Sequence, residues 1–182
     1  MSMRIMTLAF IGMLACVLAA TVECAPGGDL ATRELQARHL SVPIANVRPD
    51  QLVSSFSDAR SGHPHEALDI LSPRGTPVVA VEDGTVAKLF WSRFGGNTIY
   101  QFDPTQRYAY YYAHLDRYAD GLRQGQSVQR GQTIGYVGST GNADPNAPHL
   151  HFAIFVLTPE KEWWKGTAVD PYPILRWAVD AH

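Results

Sequence analysis

The chain has 182 residues, with 15 basic and 17 acidic side chains and a formal net charge of −2. This balance, without any basic run, argues against nucleic-acid binding through a cationic surface. Hydrophobic residues make up 46% of the sequence, enough for one sizeable core, and the length predicts one domain with extensions.

Residues 1–24 are predicted to be a secretory signal peptide. Arg4 precedes an apolar run at residues 5–20, and small residues follow it. The run is shorter than the ~20 residues that cross a membrane, so cleavage is favoured over a retained anchor. Cys16 ends a segment similar to a bacterial lipoprotein site, which leaves membrane attachment through a lipid as an alternative. Because Cys24 is the only other cysteine, the mature domain has neither disulfides nor cysteine metal ligands.

Residues 25–51 are predicted to be a linker that contains one short helix. The helix is expected at residues 29–38, with Asp29 as its N-cap. Pro43 and Pro49 then keep the chain irregular.

Residues 52–182 are predicted to form a mainly β domain. Short apolar segments alternate with turn residues, and Asp83-Gly84 between two such segments predicts a hairpin. This pattern is typical of an antiparallel sheet, a sandwich or a partly open barrel. The predicted strands cover residues 67–71, 78–81, 85–90, 97–102, 108–115, 127–128, 132–137 and 149–156.

A pair of histidines near the C-terminal end predicts a metal site. His149 and His151 alternate with Leu150 and Phe152, as in a β-strand, so both imidazoles project from one face. Imidazole is a common zinc ligand. The sequence therefore predicts that at least one histidine of this pair binds a metal.

Other parts of the chain supply further candidate ligands. His65 and Asp69 are separated by three residues and would complete a three-ligand zinc site with one histidine of the pair. His114 and the other paired histidine would then lie beside the metal and move protons. Asp69 stands between two apolar residues, and burial of an unpaired carboxylate there would cost several kcal/mol, which argues for a charged partner. His63 is a competing ligand.

Three motifs together resemble one known family. Segment 65–70 (HEALDI) is similar to a His-x-Gly-x-Asp element, and segment 112–115 (YAHL) to Tyr-x-His-Leu. Segment 140–142 (TGN) with 148–152 (PHLHF) is similar to the closing run of the same family. The chain resembles the lysostaphin-type (LytM-like) zinc metallopeptidases, which cut peptide cross-links of bacterial cell walls, from about residue 52 to residue 173.

The resemblance implies a fold, a cofactor and a substrate. The fold would be the duplicated hybrid motif, a sheet with a substrate groove. One Zn²⁺ would be bound by His65, Asp69 and His151, and His114 and His149 would be the catalytic residues. The substrate would be peptidoglycan peptides, and the protein would act in the periplasm or cell envelope of a bacterium.

One departure and two alternatives accompany this interpretation. Ala67 stands where the family usually has glycine, and alanine would be strained if the backbone there had a positive φ. The first alternative function is a non-catalytic activator of a cell-wall amidase. The second is a hybrid-barrel carrier domain, which would leave the paired histidines unexplained. Arg60 suits either substrate binding or a surface ion pair, and segment 163–171 is predicted to be a packing segment.

Overall fold

The structure, a computed structural model, describes residues 27–44, 46–48, 51–60 and 62–180. The predicted signal peptide lies outside the described residues. Among the residues described, no helix is long and apolar enough to cross a membrane. The elements are α1 (Gly27–Ala37), β1 (Ala59–Arg60), β2 (His63–Pro64), β3 (Leu68–Leu71), β4 (Pro77–Val79), β5 (Gly84–Ser92), β6 (Gly96–Phe102), β7 (Tyr108–Tyr118), β8 (Ser127–Val128), β9 (Thr133–Val137), β10 (His149–Leu157), β11 (Gly166–Val169) and α2 (Tyr172–Asp180).

The fold is mainly β and consists of an open antiparallel sheet, as predicted from the sequence. Its principal strand order is β11-β10-β7-β6-β5-β8, and β9 links β4 to β7. Strand β10 pairs with β3, β7 and β11. The strand that carries the histidine pair therefore lies inside the sheet, where its neighbours fix its position.

The core lies on one face of this sheet. Tyr108, Tyr110 and Tyr112 of β7 alternate toward it and are fully buried, as are Leu150 and Phe152 of β10. Because successive strand residues point to opposite faces, the residues between them project from the other face. That second face carries the histidine pair and Tyr111.

The segment predicted as a linker contains a helix and packs on the sheet. The helix begins at Gly27, so Asp29 lies within it and the predicted N-cap is wrong. Ala31 and Leu35 are one helical turn apart on α1 and are both buried in the core. Arg38 follows the helix, and its guanidinium lies 3.2 Å from Glu82 and 3.0 Å from Asp103. Tyr110 also donates a hydrogen bond to Glu82. These contacts attach the N-terminal segment to two buried carboxylates of the domain.

We expect Arg38→Met to destabilise the fold by about 3 kcal/mol or more, because it leaves Glu82 and Asp103 buried without their cation. Urea unfolding followed by circular dichroism measures this change. Arg123→Met is the matched control, since Arg123 is exposed, and it should change stability by less than about 0.5 kcal/mol. Equal stabilities for the two variants would show that Arg38 does not attach the segment.

Candidate metal centre and groove

Three predicted ligands converge at one point on the face of the sheet opposite the core, which we call the outer face. His65 Nε2 lies 3.1 Å from Asp69 Oδ1 and 3.0 Å from His151 Nδ1, and His151 Nδ1 lies 3.0 Å from Asp69 Oδ1. The convergence follows from strand pairing, because β3 and β10 are antiparallel and place Asp69 directly opposite His151. The structure thus brings together ligands that are 82 residues apart in the sequence.

Two of these side chains, His65 and Asp69, are held in position by a further contact outside the triangle. The Nδ1 of His65 donates to the carbonyl oxygen of Ser55 at 3.1 Å, which leaves the Nε2 lone pair directed at the site. The other carboxylate oxygen of Asp69, Oδ2, accepts a hydrogen bond from Arg60 at 2.9 Å. Arg60 therefore forms an ion pair with the candidate ligand Asp69. Its guanidinium is a charged partner of the kind expected for this carboxylate.

The electrostatics favour the ligand forms of Asp69 and His65. Burial alone would raise the pKa of Asp69, but the hydrogen bond from His151 and the nearby histidine rings lower it to about 2. Burial lowers the pKa of His65, which favours its neutral ring. An ionised carboxylate and a neutral imidazole are the forms that bind a metal.

His114 reaches the site through a distortion of its strand. Strict alternation after Tyr110 and Tyr112 would direct its side chain into the core. Instead, the backbone at His114 is left-handed, with φ 59°, and the register with β6 shifts nearby. The distortion turns the ring toward His149 and His151, with ring centroids 4.9 and 5.5 Å away. A strained backbone of this kind is common at functional sites.

His114 and His149 are oriented by the same kind of hydrogen bond. The Nδ1 atom of each donates to a backbone carbonyl, of Thr140 at 2.9 Å for His114 and of Ala147 at 2.9 Å for His149. Their Nε2 atoms are thereby left as acceptors that face the groove. His149 Nε2 lies 3.8 Å from Asp69 Oδ1. Burial lowers the pKa of His114 to about 4, so this ring is neutral at neutral pH.

The Thr-Gly motif is explained by close packing of two loops behind His114. Thr140 donates from its hydroxyl to the Leu115 carbonyl at 2.7 Å, and its own carbonyl holds His114. At Gly141, φ is +79°, and a side chain would overlap the carbonyl oxygen of Phe94. The motif therefore supports the position of the His114 ring.

These groups lie in a groove of about 530 Å³ on the outer face of the sheet. Its lining comprises Arg60, His65, Asp69, Phe94, Gly95, Tyr111, Ala113, His114, Asn142, Ala143, Asp144, His149 and His151. All five predicted site residues thus share one groove.

The structure removes the concern about Ala67. The positive φ in this motif belongs to Glu66, at 55°, and Ala67 is buried without a left-handed backbone. Alanine at this position therefore carries none of the strain that a positive φ would impose.

The residues fit a zinc ion by the chemistry and spacing of their donor atoms. Tetrahedral zinc with ligand distances of about 2.0–2.1 Å separates neighbouring donors by ~3.3 Å. The three ligand atoms here are 3.0–3.1 Å apart, close to one face of such a tetrahedron. Among the described residues, two histidines and a carboxylate thus offer the donor set that would hold a zinc ion through three ligands.

A comparison with protein-family models decides the family. The model of Peptidase family M23 matches residues 63–171, which include all five site residues. The chain belongs to peptidase family M23. This M23 domain is 39% identical over 131 residues to the L-Ala–D-Glu endopeptidase of Bacillus subtilis, an alignment with 68% of this chain and 39% of that protein.

Other relatives agree with this assignment. Lysostaphin of Staphylococcus simulans is 36% identical over 117 residues, which are 64% of this chain and 22% of lysostaphin. The crystallised catalytic domain of that enzyme superposes with a TM-score of 0.56 at 34% identity, covering 68% of this chain and 87% of the domain. A zinc-containing peptidase from Vibrio cholerae superposes with a TM-score of 0.54 at 32% identity, covering 66% of this chain and 35% of that peptidase. The chain therefore spans about a fifth to two fifths of the curated relatives it matches.

The five residues predicted from the sequence meet in one groove of the M23 domain, but the sequence did not predict the groups that orient them. The carbonyl oxygens of Ser55, Thr140 and Ala147 hold three of the histidine rings. Backbone carbonyls carry no sequence preference that would mark them. The sequence does not decide whether Arg60 binds substrate or forms an ion pair, and in the structure it forms an ion pair with Asp69.

Proposed function

We propose that this chain is an exported zinc-dependent metalloendopeptidase that hydrolyses peptide bonds in the stem peptides or cross-links of bacterial peptidoglycan. The single observation that carries the proposal is the triangle of His65, Asp69 and His151 ligand atoms with two further histidines facing it. A three-ligand centre with free imidazole acceptors beside it is the arrangement of a hydrolytic rather than a structural zinc site.

The ligand roles follow from the hydrogen bonds. His65 binds through Nε2, because its Nδ1 is engaged by Ser55. His151 binds through Nδ1 and Asp69 through Oδ1, while Arg60 keeps the second oxygen of Asp69 occupied. When bound, zinc supplies Lewis acidity that polarises a carbonyl and lowers the pKa of water to ~7.

His114 and His149 handle the protons. In the neutral form of each ring the proton is on Nδ1, where it is donated to a backbone carbonyl, so Nε2 must accept a proton before it can donate one. We assign to His149, 3.8 Å from Asp69, the proton of the attacking water. His114, whose ring lies beside those of His149 and His151, first takes up a proton from solvent at Nε2. In that protonated form it stabilises the developing oxyanion or passes the proton to the leaving amine, while His149 returns the proton of the water to solvent.

The substrate class rests on the relatives. Those named above include an L-Ala–D-Glu endopeptidase and lysostaphin, and a further relative is a peptidoglycan DD-endopeptidase of Vibrio cholerae, 37% identical over 111 residues. The names of the Bacillus and Vibrio enzymes specify different bonds, and the Vibrio name gives peptidoglycan as the substrate, so we infer peptidoglycan peptides as the substrate class. Since this substrate lies outside the cytoplasm, the proposal includes export through the segment at residues 1–24 and action in the periplasm or cell envelope.

The alternative functions have weaker support. A non-catalytic amidase activator would not need three ligands and two oriented histidines in one groove. A carrier domain would leave the same set unexplained. We therefore retain the endopeptidase as the proposed function.

The test is hydrolysis of defined soluble peptides by the zinc-loaded full chain. The panel contains a stem peptide with an L-Ala–D-Glu bond, a cross-linked stem-peptide dimer and an oligoglycine peptide. We expect one member to be cleaved, with new termini identified by mass spectrometry, and cleavage to stop with a chelator and return with zinc. The activator alternative predicts no cleavage of any peptide and stimulation of an added amidase instead.

A further inference from the structure

An aromatic cluster extends from the groove across the outer face of the sheet. Tyr111 of β7 and Tyr100 of β6 are directly opposite each other, with ring centroids 4.6 Å apart. Trp163, from the loop between β10 and β11, packs 4.8 Å from Tyr100 and 5.5 Å from Phe90. Trp164 packs 5.0 Å from Trp163. We call these five residues, Phe90, Tyr100, Tyr111, Trp163 and Trp164, the aromatic shelf.

The outer end of the shelf is exposed to solvent. The Trp164 side chain is 60% exposed and Phe90 is 40% exposed, although both are large and apolar. Packing of Trp163 on β5 and β6 agrees with the packing role predicted for its segment, but Trp164 gains no such burial. An exposed cluster of large aromatic side chains is a feature of interaction sites.

The inner end of the shelf is part of the groove. Tyr111 lines the groove, and its ring lies 5.9 Å from the ring of the ligand His151. The rings then follow one another at about 5 Å from the ligand to the exposed Trp164. A polymer bound in the groove would therefore meet the shelf without a gap.

The charge around the shelf indicates an uncharged ligand. The loop that carries Trp163 and Trp164 has two acidic and two basic residues at positions 160–165, and Glu162 pairs with Lys165 at 3.5 Å. Lys88 lies over the Trp163 ring, 5.9 Å from its centroid. Neither a cationic surface for anionic lipid nor a strongly charged surface for an ionic ligand is present on these described residues.

We propose that the aromatic shelf binds the sugar rings of the peptidoglycan glycan strand while an attached peptide occupies the groove. Sugar rings are uncharged and have C–H faces that stack on aromatic rings, and their hydroxyl groups can bond the indole N–H and the phenol of the shelf. The shelf thus holds the enzyme on glycan-linked peptides. This inference rests on the proposed peptidoglycan substrate.

The test compares two exposed tryptophans in the zinc-loaded full chain. Trp164→Ala removes the outer end of the shelf. Trp91→Ala is the matched control, because Trp91 is 62% exposed. It follows Phe90 on β5, so its side chain projects from the opposite face of the sheet. The probes are a tetrasaccharide of N-acetylglucosamine and peptide-free glycan strands, titrated by calorimetry. We expect Trp164→Ala to weaken glycan binding about tenfold or more and Trp91→Ala to leave it unchanged.

A second measurement separates this inference from the proposed function. Both variants should cleave a soluble peptide at the wild-type rate, while Trp164→Ala should cleave glycan-linked peptides more slowly. Peptide cleavage without glycan binding by the wild type would overturn the shelf inference alone. Glycan binding without any peptide cleavage would overturn the proposed function and leave the shelf. Equal losses of glycan binding in the two variants would also overturn the shelf inference. The same holds if Trp164→Ala leaves glycan binding unchanged and instead reduces binding to lipid vesicles or self-association.

Discussion

Replacing His114 is expected to lower turnover by two to four orders of magnitude, about 100-fold to 10,000-fold, while zinc remains bound. His114 is not among the three ligand atoms, and the hydrogen bonds that orient His65 and Asp69 do not involve it. Loss of a positioned proton-transfer group typically lowers the rate by about 100-fold to 10,000-fold. We therefore expect a fall of kcat in that range with zinc content unchanged, measured by peptide hydrolysis and elemental analysis of the same samples.

The choice of substituent matters because of the backbone. His114 has φ 59°, and asparagine is among the residues that adopt this region most readily. His114→Asn therefore removes the imidazole with less backbone strain than His114→Ala. If both variants lose activity and keep zinc and the wild-type unfolding midpoint, the ring itself is required. Loss of zinc from His114→Asn would contradict the assignment and would place His114 among the ligands.

Replacing His151 is expected to have the opposite effect on the metal. His151→Ala removes the Nδ1 donor that lies 3.0 Å from both other ligand atoms, so two ligands remain. We expect zinc affinity to fall by more than about 100-fold and hydrolysis to stop, since even the loss of an outer partner can weaken a metal site that much. Competition with a chelator of known affinity measures the zinc affinity, and peptide hydrolysis measures the rate.

The control for this variant is another histidine beside the first motif. His63 was a competing ligand on sequence grounds, but His65, Asp69 and His151 already supply three converging donor atoms. His63→Ala should therefore keep wild-type zinc affinity and activity. If His63→Ala loses zinc while His151→Ala retains it, the proposed ligand set is wrong.

Sequence patterns predicted much of the fold and the family because they depend on short-range rules. The alternation of Leu150 and Phe152 with the histidine pair predicted a half-buried strand, and β10 is that strand. The hairpin predicted at Asp83-Gly84 is wrong: the chain turns there, but β4 pairs with β9, and β5 pairs with β6 and β8. The short helix before the domain is also present. For the strand and the helix a few neighbouring residues carry the whole pattern, whereas the choice of partner strand that defeats the hairpin depends on distant residues.

Other features depend on contacts between distant parts of the chain, which no local pattern encodes. Alternation would have placed the His114 ring in the core, and only the distortion of β7, supported by Thr140 and Gly141 from another loop, turns it to the groove. The attachment of α1 through Arg38 depends on carboxylates 44 and 65 residues further along the chain.

The sequence by itself determined which residue types could bind a metal and that Asp69, His149 and His151 lie on strands, because side-chain chemistry and strand alternation are local properties. The tertiary structure decided how those side chains meet. Antiparallel pairing sets Asp69 opposite His151, a backbone carbonyl fixes the free nitrogen of His65, and the sheet brings Tyr111 and Trp163 into one aromatic shelf. Each of these contacts depends on tertiary packing, which brings together residues that are separated in the chain.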